Sequence, residues 1–259
     1  MKTVSSLKNP AVQAARALRD ARERARQGAF LLDGEHMVGE ALAACPDRVS
    51  ALFVDEARLE AYAALTALVP QTACYAVPSH VLAAISQVKT PQGVAAVCAM
   101  PPSPAPEEMG NRLILLENVQ DPGNVGTVIR TADAAGAHGV IIPKRRSAGL
   151  TAVVAKTSAG AVSHLPVARV ANLPSLLKQL KKEGLWIFGA AADGPVSLYE
   201  ADLKGPAAIV IGSEGSGMSR LVAETCDVLV RIPMKGKLNS LNASAAAAIL
   251  LYEAVRQRR

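Results

Sequence analysis

Short apolar runs alternate with amphipathic stretches along most of the chain, and this alternation predicts strands and helices in turn. In the first hundred residues the apolar runs are AFLLD, VSALFVD, TACYAV and GVAAVCAM. Stretches with helical spacing, such as GEHMVGEALAA and EARLEAYAALTAL, separate them. This part of the chain therefore predicts a small α/β domain.

The rest of the chain repeats the alternation. Its predicted strands are RLILLEN, GVIIP, LPVARV, LWIFGAA, AAIVIG and DVLVRIP. Helices are expected at about residues 125–136, 151–160, 173–183, 218–226 and 241–257. Because these strands are apolar on both faces, they indicate a mostly parallel sheet covered by helices on both sides.

A proline-rich polar segment, MPPSPAPEEMGN, lies between the two parts and is typical of a linker. We assign residues 1–100 to the first domain, 101–111 to the linker and 112–259 to the second domain. No apolar run reaches membrane-spanning length, and the N-terminal residues lack the apolar core of a signal peptide. A cytoplasmic protein is expected.

Charge points to an anionic partner. The net charge is +6, and residues 111–259 carry 18 Lys and Arg against 11 Asp and Glu. Nucleic acid is the usual partner of such a surface, although an inert basic surface has the same composition. Aromatic residues make up only 3% of the chain, so an RNA partner is expected to be bound through phosphate contacts and shape rather than base stacking.

Two basic clusters are candidates for phosphate contact. Residues 10–27 are predicted to form one helix whose face opposite its apolar residues carries arginines, and the run after GVIIP is the second cluster. Each has the alternative of a solvated surface, and both interpretations stay open. The candidate RNA-binding residues are Arg16, Arg19, Arg22, Arg26, Lys144, Arg145 and Arg146.

The cysteines and histidines predict no metal site. The four cysteines lie among aliphatic residues without metal-binding or redox spacing, which favours buried free thiols in a reducing compartment. The four histidines are scattered along the chain.

Three loops rich in glycine and small polar residues each follow a predicted strand: ENVQDPGNVGTVIRTADAAG, GSEGSGMS and IPMKGKLNSLNAS. In open α/β sheets ligands bind at the carboxyl ends of strands, and glycine lets backbone approach a ligand closely. The three loops therefore predict one composite site. The site is expected to be a pocket of small residues that contains the carboxylate of Glu214, the thioether of Met234 and the guanidinium of Arg130.

The common nucleotide and hydrolase motifs do not fit these loops. The glycines at 212, 215 and 217 have the reverse of GxGxxG spacing and come late in the chain, and GxxxxGK[ST] and GxSxG are missing. The small-residue pocket with its carboxylate, thioether and guanidinium suits a nucleoside-like cofactor beside an anionic substrate.

In order and spacing the three loops resemble the three motifs of the SpoU (TrmH-like) family of RNA ribose 2′-O-methyltransferases. SLKNPAVQAARALRD, GAFLLDGEHMVGEAL and TPQGVAAV resemble the ribosomal-protein-like substrate-binding domain found in that family. The resemblance implies a trefoil knot in the C-terminal domain, S-adenosylmethionine as cofactor, a homodimer formed through that domain, and RNA as substrate. The 23S rRNA is the expected substrate, with tRNA as the alternative.

The resemblance also implies residue roles. The matching cofactor-binding positions are Gly212, Gly215, Ile232, Met234, Ser240, Leu241 and Asn242. The matching catalytic positions are Asn124, Arg130, Glu214, Ser240 and Asn242. The counterpart of Arg130 is proposed in the family as general base. Because a guanidinium normally stays protonated, a phosphate clamp or alkoxide stabiliser is the alternative role for Arg130, and capping of the following helix is the alternative for Glu214.

Three rival functions remain at this stage. They are a non-catalytic RNA-binding module with the same fold, a knotted base methyltransferase and a nucleotide-dependent dehydrogenase. The intact polar residues disfavour the first, the NSLNAS motif disfavours the second, and the missing GxGxxG loop disfavours the third.

Overall fold

The computed structural model describes residues 1–88, 90–100, 103–163, 165–237 and 240–259. Part of the predicted linker (Pro101, Pro102), His164 and part of the third loop (Leu238, Asn239) lie outside the described residues. The chain divides into two compact units, Met1–Pro101 with Leu150–His164, and Pro102–Gly149 with Leu165–Arg259.

The first unit contains a mixed five-stranded sheet. Its strands are β1 (Lys2–Thr3), β2 (Ala29–Asp33), β3 (Val49–Asp55), β4 (Cys74–Val77) and β5 (Val94–Ala99). They lie in the order β1-β4-β3-β5-β2, with β4 parallel to both neighbours and β5 antiparallel to both of its own. The predicted small α/β domain is confirmed, although two-residue β1 has no apolar run that would predict it.

The second unit contains a seven-stranded parallel sheet. Its strands are β6 (Arg112–Leu116), β7 (Gly139–Pro143), β8 (Val167–Val170), β9 (Trp186–Ala190), β10 (Val196–Ser197), β11 (Ala207–Ile211) and β12 (Val228–Arg231). They lie in the order β10-β12-β9-β11-β6-β7-β8, and every neighbouring pair is parallel. The predicted parallel-sheet α/β domain is confirmed.

Most helices lie at the predicted places, but the helix predicted for EARLEAYAALTAL is observed as a 3-10 helix, Glu56–Arg58, and a short α-helix, Ala63–Ala67. In the described residues they are α1 (Pro10–Ala17), α2 (Ala21–Gln27), α3 (Glu35–Ala44), α4 (Ala63–Ala67), α5 (Ser79–Ile85), α6 (Pro122–Ala134), α7 (Ala152–Thr157), α8 (Leu173–Lys182), α9 (Arg220–Thr225) and α10 (Ala243–Gln257). Short 3-10 helices are Pro46–Arg48, Glu56–Arg58, Gln71–Ala73, Pro106–Glu108 and Ala161–Ser163.

The single helix predicted over residues 10–27 is wrong. The chain leaves the helix after Ala17, and the carboxylate of Asp20 accepts hydrogen bonds from the backbone N–H groups of Arg22 (2.7 Å) and Glu23 (3.3 Å). An N-terminal cap of this kind starts a new helix, so the sequence contains two short helices instead of one long one. The predicted arginine face is therefore divided between α1, the connection and α2.

The parallel sheet is buried on both faces at its interior strand β6. Leu113 and Leu115 of β6 pack in one cluster with Leu176, Leu177 and Leu180 of α8, which follow the spacing of one helix face. The alternate residues of β6 point to the other face and are equally buried. On helix-covered sheets of this kind, the carboxyl ends of the strands are left for ligands.

One segment differs from the predicted domain division. Residues 150–164 group with the first unit, whereas the sequence placed them in the domain 112–259. The reason is local packing, because α7 lies against β2 of the mixed sheet.

None of the described helices is long and apolar enough to cross a membrane. In the same residues, His, Cys, Asp and Glu form no group of three that could hold a metal ion. All four cysteines are free thiols, but only Cys74 and Cys98 are buried as predicted, whereas Cys45 and Cys226 are partly exposed. Desolvation raises the pKa of Cys98 and of Cys226 to about 12.

Candidate functional site

Loops after β9, β11 and β12, together with the start of α10, enclose a cavity of about 590 Å³ in the second unit. All three strands end at the same edge of the parallel sheet, where α/β proteins bind ligands. The structure brings most of the predicted cofactor-binding residues to this cavity. Those that line it are Gly212, Gly215, Ile232, Met234, Ser240 and Leu241.

The loop after β9 also lines the cavity, although none of the three predicted loops includes it. Residues 190–193, three alanines and Asp193, form this wall. A Cβ on the following Gly194 would lie 2.8 Å from the carbonyl carbon of Val230, so glycine lets this loop pack against β12. The run of small residues after LWIFG is the signal that would have revealed it.

The loop after β11 folds back on itself. Ser213 and Gly217 exchange two backbone hydrogen bonds of 3.0 Å, and Gly217 has a left-handed backbone with φ of +64°. A Cβ on Gly212 would overlap the backbone of Gly217 and Met218. Glycine at 212 is therefore required for the close approach that shapes this side of the cavity.

A buried carboxylate anchors the end of the same loop. Glu117, which follows β6 and is 7% exposed, accepts hydrogen bonds from the backbone N–H of Ser219 (2.9 Å) and from its hydroxyl (2.6 Å). Ser219 in turn caps α9 by accepting from the N–H of Val222. Glu117 was not predicted as a site residue, although a carboxylate ending the apolar run RLILLE was a visible signal.

Three of the predicted catalytic residues form one hydrogen-bonded cluster, Asn124, Glu214 and Asn242. The side-chain amides of both asparagines donate to Oε1 of Glu214, Asn242 at 2.9 Å. The amide of Asn242 also donates to Oδ1 of Asn124 at 3.1 Å. The carboxylate is held as an acceptor, and its other oxygen accepts no hydrogen bond from the described residues.

Each member of this cluster is positioned by its own element. Asn124 is buried in the first turn of α6, after the cap of Asp121. Asn242 is the N-terminal cap of α10, where its Oδ1 accepts from the N–H groups of Ser244 (2.9 Å) and Ala245 (3.4 Å). The cap fixes the orientation of the Asn242 amide, so its Nδ2 points to Glu214. The predicted alternative, in which Glu214 caps the following helix, is not observed, because Ser219 is the cap there.

Arg130 does not join this cluster in the folded chain. It lies six residues after Asn124 on α6, which places it about 9 Å farther along the axis and on a different face. Its side chain is exposed and makes none of the hydrogen bonds and ion pairs found among the described residues. Asn124 and Arg130, the two polar residues that match the first family motif, therefore make no hydrogen bond with each other within one chain, and their catalytic roles stay predictions.

The candidate RNA-binding residues are all exposed, but some are already engaged. Arg19 donates to the carbonyl oxygens of Ser86 (2.5 Å) and Ala83 (3.4 Å), and Arg26 forms an ion pair with Glu23. Arg16 and Arg22 make no such contact with described side chains. Lys144, Arg145 and Arg146 lie in the loop that follows β7.

The fold and the cavity define a class of protein. A parallel α/β sheet with a cavity at the carboxyl edge of its strands is typical of proteins that bind a nucleoside-like ligand there. In this protein the cavity lies beside the amide–carboxylate cluster.

The chain belongs to the SpoU rRNA Methylase family, whose sequence profile matches residues 111–252 and so includes all three glycine-containing loops. Residues 9–96 match the MRM3-like substrate binding domain. The family resemblance of both parts of the sequence is confirmed.

Two solved structures are similar over nearly the whole chain. An rRNA methyltransferase from Sinorhizobium meliloti with AdoMet bound has a TM-score of 0.82 and 30% identity, covering 98% of this chain and 97% of that one. The SpoU methyltransferase AviRb from Streptomyces viridochromogenes, also with AdoMet, has a TM-score of 0.85 and 30% identity, covering 97% and 98%.

Curated relatives match the C-terminal part. The 23S rRNA (guanosine-2′-O-)-methyltransferase RlmB of Shewanella oneidensis is 52% identical over 147 residues, which is 57% of this chain and 60% of RlmB. RlmB of Ralstonia nicotianae is 51% identical over 146 residues, 56% of this chain and 59% of that protein. The chain spans 60% and 59% of the length of these two relatives.

Proposed function

We propose that this protein transfers a methyl group from S-adenosylmethionine to a ribose 2′-hydroxyl of structured RNA, most readily 23S rRNA. The observation that carries the proposal is the cluster of Asn124, Glu214 and Asn242 at the cavity bounded by the second and third family motifs. Two relatives are named 23S rRNA (guanosine-2′-O-)-methyltransferases, and two similar structures hold AdoMet.

The cavity suits the cofactor in size and lining. Its volume of about 590 Å³ falls in the range of small-molecule sites. Glycines at 212 and 215 leave backbone groups accessible to the adenosine part, Met234 and Leu241 supply apolar surface, and Ser240 supplies a hydroxyl. When bound, S-adenosylmethionine supplies an electrophilic methyl group on a sulfonium sulfur.

The reaction requires a hydroxyl oxygen to be placed in line with that methyl group and to lose its proton. The O–C bond forms as the C–S bond breaks, the sulfur leaves as a thioether, and the hydroxyl proton passes to a base or to water. A ribose hydroxyl is a weak nucleophile, so both positioning and proton removal contribute to the rate.

Glu214 is the side chain best placed to orient the hydroxyl. Its Oε1 is held by two amide donors, and Oε2 is left to accept a hydrogen bond from the substrate. Asn124 and Asn242 keep the carboxylate in one orientation and so act as positioning residues. Ser240, on the cavity wall, contacts the cofactor side of the site.

Arg130 is assigned to the RNA phosphate or to the developing alkoxide. Its guanidinium is exposed, engaged with no described residue, and permanently charged, which suits an anion clamp better than a base. Because Arg130 lies away from Asn124 within one chain, substrate or a second copy of the chain must complete its contacts.

The remaining implications of the family belong to the same proposal. Residues 1–100 bind RNA through exposed arginines, the linker 101–111 joins them to the catalytic domain 112–259, and that domain contains the trefoil knot. A homodimer forms through the C-terminal domain, which is supported by Ile249 and Tyr252, exposed apolar residues on α10. The protein acts in the cytoplasm, where its ribosomal substrate is made.

Methyl transfer from labelled S-adenosylmethionine to separated rRNA and tRNA, followed by nucleoside analysis, tests the proposal. A 2′-O-methylated nucleoside in rRNA is expected. If only tRNA becomes labelled, tRNA rather than rRNA is the substrate. If the methyl group is found on a base, methylation of the ribose is contradicted. Cofactor binding without transfer to naked RNA or to ribosomal assembly intermediates would favour the non-catalytic binding module.

A further inference from the structure

A second cavity, of about 330 Å³, lies next to the first in the same unit. It is lined by residues of the β6–α6 connection, by Arg146 and by the loop after β11. Ser213, Glu214 and Ser216 line both cavities, so this loop forms a wall that the two share. The amide–carboxylate cluster therefore stands at the boundary between them, since Asn124 also lines the second cavity.

The second cavity is bounded by two residues in an unfavourable backbone conformation. Asn118 (φ 57°) and Arg146 (φ 59°) are two of the three non-glycine residues with positive φ in the described part of the chain. Such conformations persist only when surrounding contacts enforce them, and they concentrate at binding sites. Here the carbonyl oxygen of Val119 accepts from the hydroxyl of Ser147 and from the N–H of Ala148, both at 3.0 Å, which holds the Arg146 loop against the cavity.

Asn124, Glu214 and the two serines of this cavity are already hydrogen-bonded, but other polar groups in its lining are free to bind a ligand. The guanidinium of Arg146 makes no hydrogen bond or ion pair with the described residues. Asp121 uses Oδ1 to accept from the N–H of Gly123 at 3.0 Å, and its Oδ2 has no such partner. The amides of Asn118 and Gln120 add a donor and an acceptor each. No aromatic side chain lines the cavity, so a ligand is held here by hydrogen bonds rather than by stacking.

This set of groups matches one nucleobase better than the others. Guanine presents N1–H and N2–H as adjacent donors, which a carboxylate can accept together, and O6 and N7 as adjacent acceptors, which a guanidinium can bind together. Uracil and cytosine lack the paired donors, and adenine lacks the paired acceptors. Asp121 and Arg146 supply the carboxylate and the guanidinium on walls of the same cavity.

We infer that the second cavity receives the unstacked guanine base of the target nucleotide, with Asp121 and Arg146 as the residues that select it. The inference rests on the proposed function and deepens it, since base recognition here brings the attached ribose to the shared wall that carries Glu214. Enzymes that do chemistry on a base extrude it into a pocket and read its hydrogen-bonding edge, and the second cavity would read an unstacked guanine in the same way.

The first test uses mononucleotides and needs no methyl transfer. Binding of the 5′-monophosphates of guanosine, adenosine, cytidine and uridine is measured by NMR titration on the full chain. The expected result is tighter binding of the guanosine nucleotide by roughly 10-fold or more, with that preference lost in Asp121→Asn and Arg146→Ala. Asp121→Asn keeps the oxygen that caps α6, and Lys182→Ala, on the exposed end of α8, controls for loss of one positive charge. Equal binding of all four nucleotides, or an unchanged preference in both variants, would overturn the inference.

The second test separates this inference from the proposed function. With an RNA substrate in hand, Asp121→Asn and Arg146→Ala are expected to lower kcat/KM by roughly 10- to 100-fold, with affinity for S-adenosylmethionine changed less than about twofold. A 2′-O-methylated adenosine, cytidine or uridine as the product would overturn the guanine assignment while the methyltransferase function stands. An inactive wild-type protein that still prefers the guanosine nucleotide would overturn the proposed function and support the pocket.

Discussion

The carboxylate of Glu117 holds Ser219 through two hydrogen bonds, although the two residues are 102 positions apart in the chain. Glu117 follows β6, an interior strand of the sheet, and Ser219 ends the loop that separates the two cavities. This contact therefore connects the first family motif to the second and fixes where the loop leaves the sheet.

Replacing Glu117 by glutamine is expected to weaken S-adenosylmethionine binding about 10-fold and to lower the free energy of unfolding by about 1–3 kcal/mol. The glutamine amide cannot accept from both the N–H and the hydroxyl of Ser219 in the same geometry. Calorimetric titration and thermal unfolding measure the two effects. Glu224→Gln, which removes an exposed ion pair with Arg220, serves as the control. Unchanged cofactor affinity in Glu117→Gln would show that the anchor does not shape the cavity.

Gly212→Ala is expected to reduce cofactor binding severely and to destabilise the second unit by about 1–3 kcal/mol. The added methyl group meets backbone atoms of Gly217 and Met218, which cannot move without opening the folded loop. Gly205→Ala, where a Cβ meets no atom within 4 Å, is the matched control and should alter stability by less than about 0.5 kcal/mol. Near-wild-type cofactor affinity in Gly212→Ala would rule out the proposed shape of this wall.

Asn242→Asp separates two functions of one side chain. Aspartate still caps α10 through one oxygen, but it loses the amide that donates to Glu214 and Asn124 and places a second negative charge beside Glu214. Methyl transfer should fall about 100-fold or more at neutral pH, whereas thermal stability should change little. Because one of two adjacent carboxyls protonates more readily, part of the activity should return as the pH is lowered. A rate equal to that of the wild type would exclude a positioning role for Asn242.

Arg130→Ala should lower methyl transfer by roughly 100- to 1,000-fold and leave S-adenosylmethionine affinity within about twofold. The side chain is exposed and makes no hydrogen bond or ion pair with the described residues, so its removal should not disturb the fold. Single-turnover transfer and calorimetry provide the two measurements, with Arg220→Ala as the control for an exposed arginine. Equal methylation by the variant would remove Arg130 from the mechanism.

Glu253 on α10 is expected to make stability depend on pH at the acid end. Hydrogen bonds from Arg256 and Gln257 lower its pKa from 4.5 to about 2. A lowered folded-state pKa means that the stabilisation is complete above the unfolded value of 4.5 and disappears as the pH falls through about 2. Glu253→Gln should therefore be less stable than the wild type at pH 6, and the difference should shrink steadily below pH 4.5. A difference independent of pH would contradict this assignment.

The strands and most helices were predictable because burial patterns and helix caps depend on residues that are close together in the sequence. AFLLD, VSALFVD and GVIIP coincide with β2, β3 and β7 residue for residue. The exceptions have local reasons, since β1 and β10 are two residues long and carry no periodic signal. Asp20 is a local signal for a new helix, and so for the break between α1 and α2. The spacing of the arginines instead favoured one continuous helix.

The sequence by itself determined the fold class, the three glycine-containing loops and the family to which they belong, because each depends on residues that are close together in the chain. Only the tertiary structure decided which side chains meet. It joined Asn124 to Asn242 across 118 residues, recruited Glu117 to the loop after β11, added a wall from the loop after β9, and kept Arg130 away from Asn124. Contacts of this kind arise from the order in which parallel strands assemble, and no spacing within the chain records that order.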